Sequence, residues 1–478
     1  MTDIHDLTVT ELTAAIRAGE VSPVQVTDHY LDRIDRLGAE VGAFYTVTHD
    51  LAREQAAVAE QAVTAWRRDG EPAGGLPPLA GVPVPIKDLN RVAGVRMTLG
   101  SAVYASHVPT EDDYVVAALR SAGIVITGKT ATPEFGLPCY TETTIGPPAR
   151  TPWDLTRSAG GSSGGAGAAV AAGLAPAAQG SDGGGSIRIP ASVCGLFGIK
   201  PTRGRISGGP LNPDLAGLST DGPLARTVAD AALLLDVMTG NYPGDMYTLP
   251  PLPAGETFLG HARREPGRLK IARSLSVAVP GAEVHPDCIA AWEAASTLLE
   301  SLGHEVTDIE MPFGEDTVDP FVTLWYAMAT LVPVGPDQVG QLLPLTRYLR
   351  GRGMELKAAD LMFAQAYLQA VTRGALAAFG RYDAILTPTL AAPPVPVGYF
   401  DEVSPAENFE RQKRFTPWTA LYNCSGQPAV SVPLHWTDGG LPIGVMLAGR
   451  MGDEATLISL SAQLEAARPW RDRRPLIW

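Results

Sequence analysis

At 478 residues the chain can bury roughly three quarters of the surface its unfolded form would expose, and 45% hydrophobic with 18% charged residues is an ordinary globular composition. A net charge of −14 argues against nucleic acid as the main partner, since phosphate binding needs clustered Lys and Arg, and it disfavours docking on an anionic membrane. Cys139, Cys194, Cys288 and Cys424 are widely spaced with no C-x-x-C pair, which fits buried reduced thiols and neither a disulfide scaffold nor a zinc knuckle.

The N-terminal MTDIHDLTVTELTAAI has neither the basic nor the apolar region of a leader. No run of 18 or more apolar residues occurs, so a cytoplasmic location is expected. Residues 1–70 read as helices: Ala14, Ile16, Val24, Val26, Leu31, Ile34 and Leu37 fall at helical spacing. Ser22-Pro23 looks like an N-cap followed by proline at the first helical position. The Ala-rich, polar stretch 51–68 suits a surface helix, and a Gly/Pro loop follows at Gly70–Pro78.

Beyond it the period changes. Val82–Ile86, Ile124–Thr127, Ala384–Thr387, Ala429–Pro433 and Ile443–Leu447 are short apolar runs bounded by Gly or Pro, as buried strands are. Helical patterns lie between them at Asp112–Ala122, Ser163–Leu174, Ala225–Met238, Asp287–Leu302 and Glu454–Ala467. This alternation predicts an α/β protein with one large, mixed, twisted β-sheet covered by helices on both faces. We expect a single domain: a core over 75–240, a helical insertion over 281–420 that shapes a pocket, and a return to the sheet over 421–478. The Pro-rich Thr387–Gly398 reads as a stiff extended connection.

Three motif matches fail on physical grounds. Gly123–Thr130 (GIVITGKT) has Walker A spacing, but its Ile-Val-Ile-Thr would itself be a strand, with amides committed to a sheet and not to phosphate. Gly161–Gly165 (GSSGG) fits a nucleophile elbow around Ser163, yet a turn-like Pro152–Arg157 precedes it where a strand is required. The later histidines His261, His285, His304 and His435 stand in no catalytic context. Asn423-Cys424-Ser425 is a glycosylation sequon that carries no meaning without a leader. No HExxH or other metal-ligand spacing is present, so no metal and no cofactor are expected.

The chemistry concentrates in GGSSGGAGAAVAAGLAPAAQGSDGGGSIRIPA from Gly160 to Ala191. Two glycine turns, Gly160–Gly165 and Gly180–Gly185, each present serine, and such turns let backbone amides face a ligand. The glycine-flanked serines, the small residues Gly167, Ala168 and Ala171, and then Gly180, Asp182, Gly184, Ser186, Arg188 and Pro190 resemble the amidase signature of serine hydrolases. Gly81–Leu89, Gly128–Gly136, Cys194–Ser207, Gly222–Asp230, Gly426–Pro433 and Leu441–Gly444 resemble further segments of that family, in its order.

The resemblance implies the amidase signature fold and a triad of Ser186 as nucleophile, Ser162 as a bridging serine after a cis peptide bond, and Lys87 as base. It implies an oxyanion hole from the amides of Gly183, Gly184, Gly185 and Ser186, with Ser163, Asp182 and Arg188 in support. The residues are consistent with this. A serine hydroxyl needs a neighbour to take its proton. A free lysine is neutral in only about one molecule in 2,500 at pH 7, so burial must lower its pKa by about three units. Lys87 follows the apolar run Gly81–Ile86, where desolvation is expected.

Two positions depart from the family pattern: Thr151 stands where Asn is common, and Gly183 where a larger residue often precedes Gly-Gly-Ser. The resemblance is nearest to bacterial amidases acting on aryl acylamides, nylon-oligomer cyclic dimers and carbamates. It implies a small-molecule amide or carbamate substrate with water as co-substrate, a monomer or homodimer, and a roomy pocket from Cys139, Tyr140, Trp325 and Tyr326. A glutaminase subunit of a tRNA-dependent amidotransferase is the alternative; the run after the signature lacks the Tyr-Gly-Leu-Val-like stretch expected there.

Overall fold

A computed structural model describes residues 3–70, 75–212 and 215–478; the loop expected at Gly70–Pro78 therefore lies partly outside the described residues. Helices Val9–Ala18 and Pro23–Leu37 open the chain. Each starts at a capping box, Thr8 with Glu11 and Ser22 with Gln25, which satisfies backbone donors left free at a helix start. The Ala-rich stretch forms the long helix His49–Asp69. Among the described residues no helix is long and apolar enough to cross a membrane.

Eleven strands follow in chain order among the described residues: β1 Phe44–Val47, β2 Ile86–Lys87, β3 Gly128–Thr130, β4 Ala177–Asp182, β5 Phe197–Lys200, β6 Thr220–Ala225, β7 Lys270–Arg273, β8 Glu305–Asp308, β9 Ala384–Pro388, β10 Ala429–Trp436 and β11 Pro442–Gly449. Eight of them form the large mixed sheet, in the order β4-β6-β5-β10-β11-β9-β7-β8. Pairing is antiparallel from β4 to β9 and parallel across β9, β7 and β8.

Both faces of this sheet are covered, and the period of two in the strands shows how. Val445 and Leu447 of β11, Ala384 and Leu386 of β9, and Val430 and Val432 of β10 enter one core, shared with helices Val228–Met238, Pro286–Ser301 and Glu454–Ala467. Their alternates Met446, Ala448, Ile385 and Ala429 face another core, with Trp418 and Tyr422. Leu447 and Leu386 are fully buried, and truncating either to alanine would cost about 2–5 kcal/mol.

Two expectations need correction. Val82–Ile86 and Ile124–Thr127 are buried but do not join the large sheet. They meet at a single parallel bridge, Pro83 to Val125, and lead into a separate three-stranded sheet, β1-β3-β2. Pro83 and Pro85 lack the N–H that a longer ladder needs. The interval 281–420 is also not one helical insertion. Pro286–Ser301, β8 and β9 belong to the large sheet and its cover, and only the parts between and after them build the pocket wall. The Walker-like stretch carries committed amides: Val125 N donates to Val82 O and Ile126 N to Gln55 Oε1.

Candidate active site

The signature stretch folds as the helix Gly164–Ala171, then β4, a glycine turn, and the helix Arg188–Cys194. All eight residues of Gly164–Ala171 are buried. Gly165 must be glycine, because a Cβ there would lie 2.3 Å from Ala131 N and 2.5 Å from Ala43 O. That close approach seats the first serine turn against β3. The two turns are tied together where Ser163 N donates to Ser186 O at 3.1 Å.

Lys87 ends β2 and is fully buried. Its Nζ lies 2.7 Å from Ser162 Oγ, and it donates to Ser181 Oγ at 3.0 Å and Ser181 O at 3.1 Å. The peptide bond Gly161–Ser162 is cis. Burial lowers the Lys87 pKa to about 7, against the pull of Asp182 and Asp221, which favour the ammonium. A neutral amine here has one lone pair to accept the Ser162 proton and two hydrogens for Ser181.

Asp182, at the end of β4, organises the second turn. Its Oδ1 accepts from Gly185 N at 2.7 Å and its Oδ2 from Ile187 N at 3.1 Å. Arg188 grips the same carboxylate through Nε at 3.0 Å and Nη2 at 2.9 Å, with both side chains fully buried. Burial pushes the Asp182 carboxyl up, but Arg188, with Lys200 and Asn423 behind it, outweighs that and holds it well below the usual range. Asn423 Nδ2 donates to Asp182 O and Oδ1 and to Leu218 O, while its Oδ1 accepts from Arg188 Nη2 at 2.6 Å. Thr419 Oγ1 donates to Gly184 O at 2.6 Å.

These bonds revise the expected oxyanion donors. The Gly185 amide is committed to Asp182, leaving Gly183, Gly184 and Ser186 with no protein partner for their amides among the described residues. Gly185 has φ +131°, and a Cβ there would meet Thr419 Oγ1 at 2.5 Å, so its glycine serves the turn. Gly183 is under no such demand: an added Cβ would find only ordinary contacts near 3.9 Å with Trp325 and Ser219. Thr151, in the position where Asn is common, donates to Val193 O at 2.8 Å and pins the end of the helix after Ser186.

Gly184 and Ser186 open into a cleft of about 840 Å3, its open mouth included. Phe313, Phe321, Trp325, Leu368 and Phe409 bring large apolar side chains to its wall, and among the described residues Lys413, paired with Glu410 at 2.8 Å, is the one charged residue lining it. Of the expected pocket residues, Cys139 and Trp325 line the cleft and Tyr140 and Tyr326 do not. The Tyr140 hydroxyl is turned away to Asp401 at 2.5 Å and accepts from Asn408 Nδ2 at 2.8 Å. Tyr326 packs on Tyr348 and Phe409. Residue-level reading missed Ser181, Thr419 and Asn423, the last dismissed as part of a sequon. No group of three or more His, Cys, Asp or Glu side chains able to hold a metal ion occurs among the described residues.

The family model described as Amidase matches residues 25–458. A putative amidase of Mycobacterium tuberculosis, AmiB2, is 39% identical over 465 residues, 96% of each chain. The solved structure of 6-aminohexanoate cyclic dimer hydrolase superposes with a TM-score of 0.90 at 30% identity over the whole of both chains. That of a bacterial aryl acylamidase of the amidase signature enzymes gives 0.86 at 26% identity, over 99% of this chain and 100% of that one.

Proposed function

Because the chain belongs to the amidase signature family and is accordingly a hydrolase of C–N bonds other than peptide bonds, we propose that it works through an acyl-enzyme on Ser186, with Ser162 relaying protons to and from Lys87. The observation that carries this reading is the buried Lys87 Nζ at 2.7 Å from Ser162 Oγ, with the next residue of the same turn, Ser163, tied to Ser186. Ser186 Oγ attacks the carbonyl carbon while its proton passes by way of Ser162 to Lys87. The amides of Gly183, Gly184 and Ser186 receive the oxyanion. The C–N bond then breaks as the amine takes the proton back through Ser162, and water cleaves the ester by the same route.

The substrate in this reading is a neutral amide, anilide or carbamate with a bulky apolar group. The apolar cleft supports that class. Similarity to enzymes named for cyclic-dimer and aryl acylamide hydrolysis points the same way. Cytoplasmic action as a monomer or homodimer, with no nucleic acid and no membrane, belongs to the same proposal. The test is intact-mass analysis after treatment with a serine-directed fluorophosphonate. A single adduct mapping to Ser186, absent in Ser186→Ala together with all amide hydrolysis, is the expected result; full activity in Ser186→Ala would end the proposal.

A further inference from the structure

The cycle above leaves one buried carboxyl beside the base without a task. In the antiparallel pair β4–β6, Ser181 stands opposite Asp221. Side chains directly opposite in such a pair leave the same face, with Cβ atoms about 4.5–5.5 Å apart. Ser181 Oγ on that face takes a hydrogen bond from Lys87 Nζ. Gln179, two residues earlier on the same face, accepts from Lys87 N at 2.9 Å and donates to Asp221 Oδ1 at 2.8 Å and Asn90 Oδ1 at 3.0 Å.

The other charged groups around this cluster are already paired. Asp113, just before the helix Tyr114–Ser121, is held by Arg91 at 2.7 Å. Asp88, which follows β2, pairs with Lys129 of β3 at 3.1 Å, and Asp182 pairs with Arg188. Asp221, only 8% exposed, has no ion pair among the described residues, and neither has Lys87. A buried charge is costly unless an opposite one compensates it. Each of the two therefore favours the charged form of the other across the cluster, without a direct ion pair.

We propose that Asp221 is the counter-charge for the ammonium that forms on Lys87 when Ser186 is acylated. It is a positioning residue that acts through Lys87 and does not touch substrate. The inference rests on Lys87 being the base. Burial and the nearby Asp113 push Asp221 up to about 7, the level to which Lys87 falls, so the two groups change charge over one pH range. Above about pH 7 the resting pair is a neutral Lys87 and an anionic Asp221; the proton from Ser186 turns Lys87 into an ammonium facing that anion and then returns to the leaving amine, so no proton is gained or lost from the cycle.

Asp221→Asn keeps the shape and the acceptor for Gln179, and it removes a buried carboxyl, so its Tm should not fall. With the carboxylate gone the Lys87 ammonium loses support, and the acid limb of kcat/KM should move to lower pH by about one unit. At the plateau kcat should fall about tenfold with KM unchanged, the same difference expressed as a rate. Asp221→Ser, smaller and also uncharged, should show the same shift. Wild-type acid limbs and plateau rates in both variants would overturn the inference. Fluorophosphonate labelling of Ser186 separates the two layers. Slow labelling of Lys87→Met beside wild-type behaviour of both Asp221 variants sinks the counter-charge alone, whereas labelling of Lys87→Met at the wild-type rate sinks the base assignment beneath it.

Discussion

Ser186 stands between two regions built on opposite principles. Behind it lies a polar interior, Lys87, Ser162, Ser181, Asp182, Arg188 and Asn423, in which every member is fixed by directional bonds of about 3 Å or less. In front lies the cleft, whose wall of Phe313, Phe321, Trp325, Leu368 and Phe409 is held by apolar packing in two adjoining clusters. Directional bonds fail when one atom is removed, because the partner left behind is buried and unsatisfied. Apolar walls yield gradually to changes of volume. The polar interior should therefore control whether the reaction proceeds, and the wall should control which substrate is taken.

The largest break in that contrast is Lys87→Met. Loss of the base should slow acylation by about 10²–10⁴-fold, read as the rate of Ser186 labelling. In the native chain, protonation of Lys87 on the acid side of about 7 should reduce kcat/KM tenfold for each pH unit below that point, with a level rate above it. Stability should respond with a definite sign. The folded Lys87 binds its proton less tightly than the unfolded one, whose value is 10.5. The native chain therefore gains stability as pH rises from about 7 to 10.5 and carries the full cost of the buried ammonium below 7. The stability of Lys87→Met relative to the native chain should grow as pH falls through that window and stay level below it. Parallel denaturation curves at pH 6 and pH 10 would contradict the burial argument.

Arg188→Ala comes next. It strips the cation from a fully buried Asp182, and breaking such a pair typically costs about 3–5 kcal/mol. Urea denaturation should show this. Arg188→Lys should recover only part of it, since an ammonium cannot bridge both carboxylate oxygens and also reach Thr419 O and Asn423 Oδ1. Full recovery by lysine would mean that charge, and not the fork, shapes the turn.

The two regions also differ in how far the sequence discloses them. Gly160–Arg188 holds both serine turns, the Asp182 anchor and the Arg188 partner within one short stretch, so its residues could be read together. Their supports could not. Asn423 and Thr419 lie on a distant segment and meet Asp182 and Gly184 only through tertiary folding. The strands β7 (KIAR) and β8 (EVTD) are four residues long and partly polar, so no apolar run announces them, and the boundaries of the insertion went astray with them. Trp325 and Tyr326 show the same limit on one helix. Adjacent residues point about 100° apart, and composition does not say which of them turns inward.

Trp325→Leu probes the wall. The indole edge lies 3.3–3.4 Å from where a Cβ on Gly184 would sit and stacks loosely on Phe321 at 5.4 Å. Removing it should raise KM for an aryl amide roughly tenfold, the scale of a lost apolar contact, with kcat within about threefold. An equal fall in kcat and kcat/KM would place Trp325 with the polar interior.

The smallest effect on kcat/KM should come from Cys139→Ser, although Cys139 lines the cleft beside Ser186. A thiol there invites the idea of a second nucleophile, but burial pushes it far above its usual pKa, and only a thiolate attacks. Its place is set by its backbone, since Cys139 N donates to Gln412 Oε1 at 2.8 Å, a bond that serine retains. A change this small in volume should leave kcat/KM within about threefold, while burying a hydroxyl in place of the thiol should cost about 1–3 kcal/mol of stability. Iodoacetamide should leave the native activity intact over the same assay. A loss of more than tenfold in Cys139→Ser would show that the cleft contributes chemistry as well as fit, and the division between the two sides of Ser186 would have to be redrawn through Cys139.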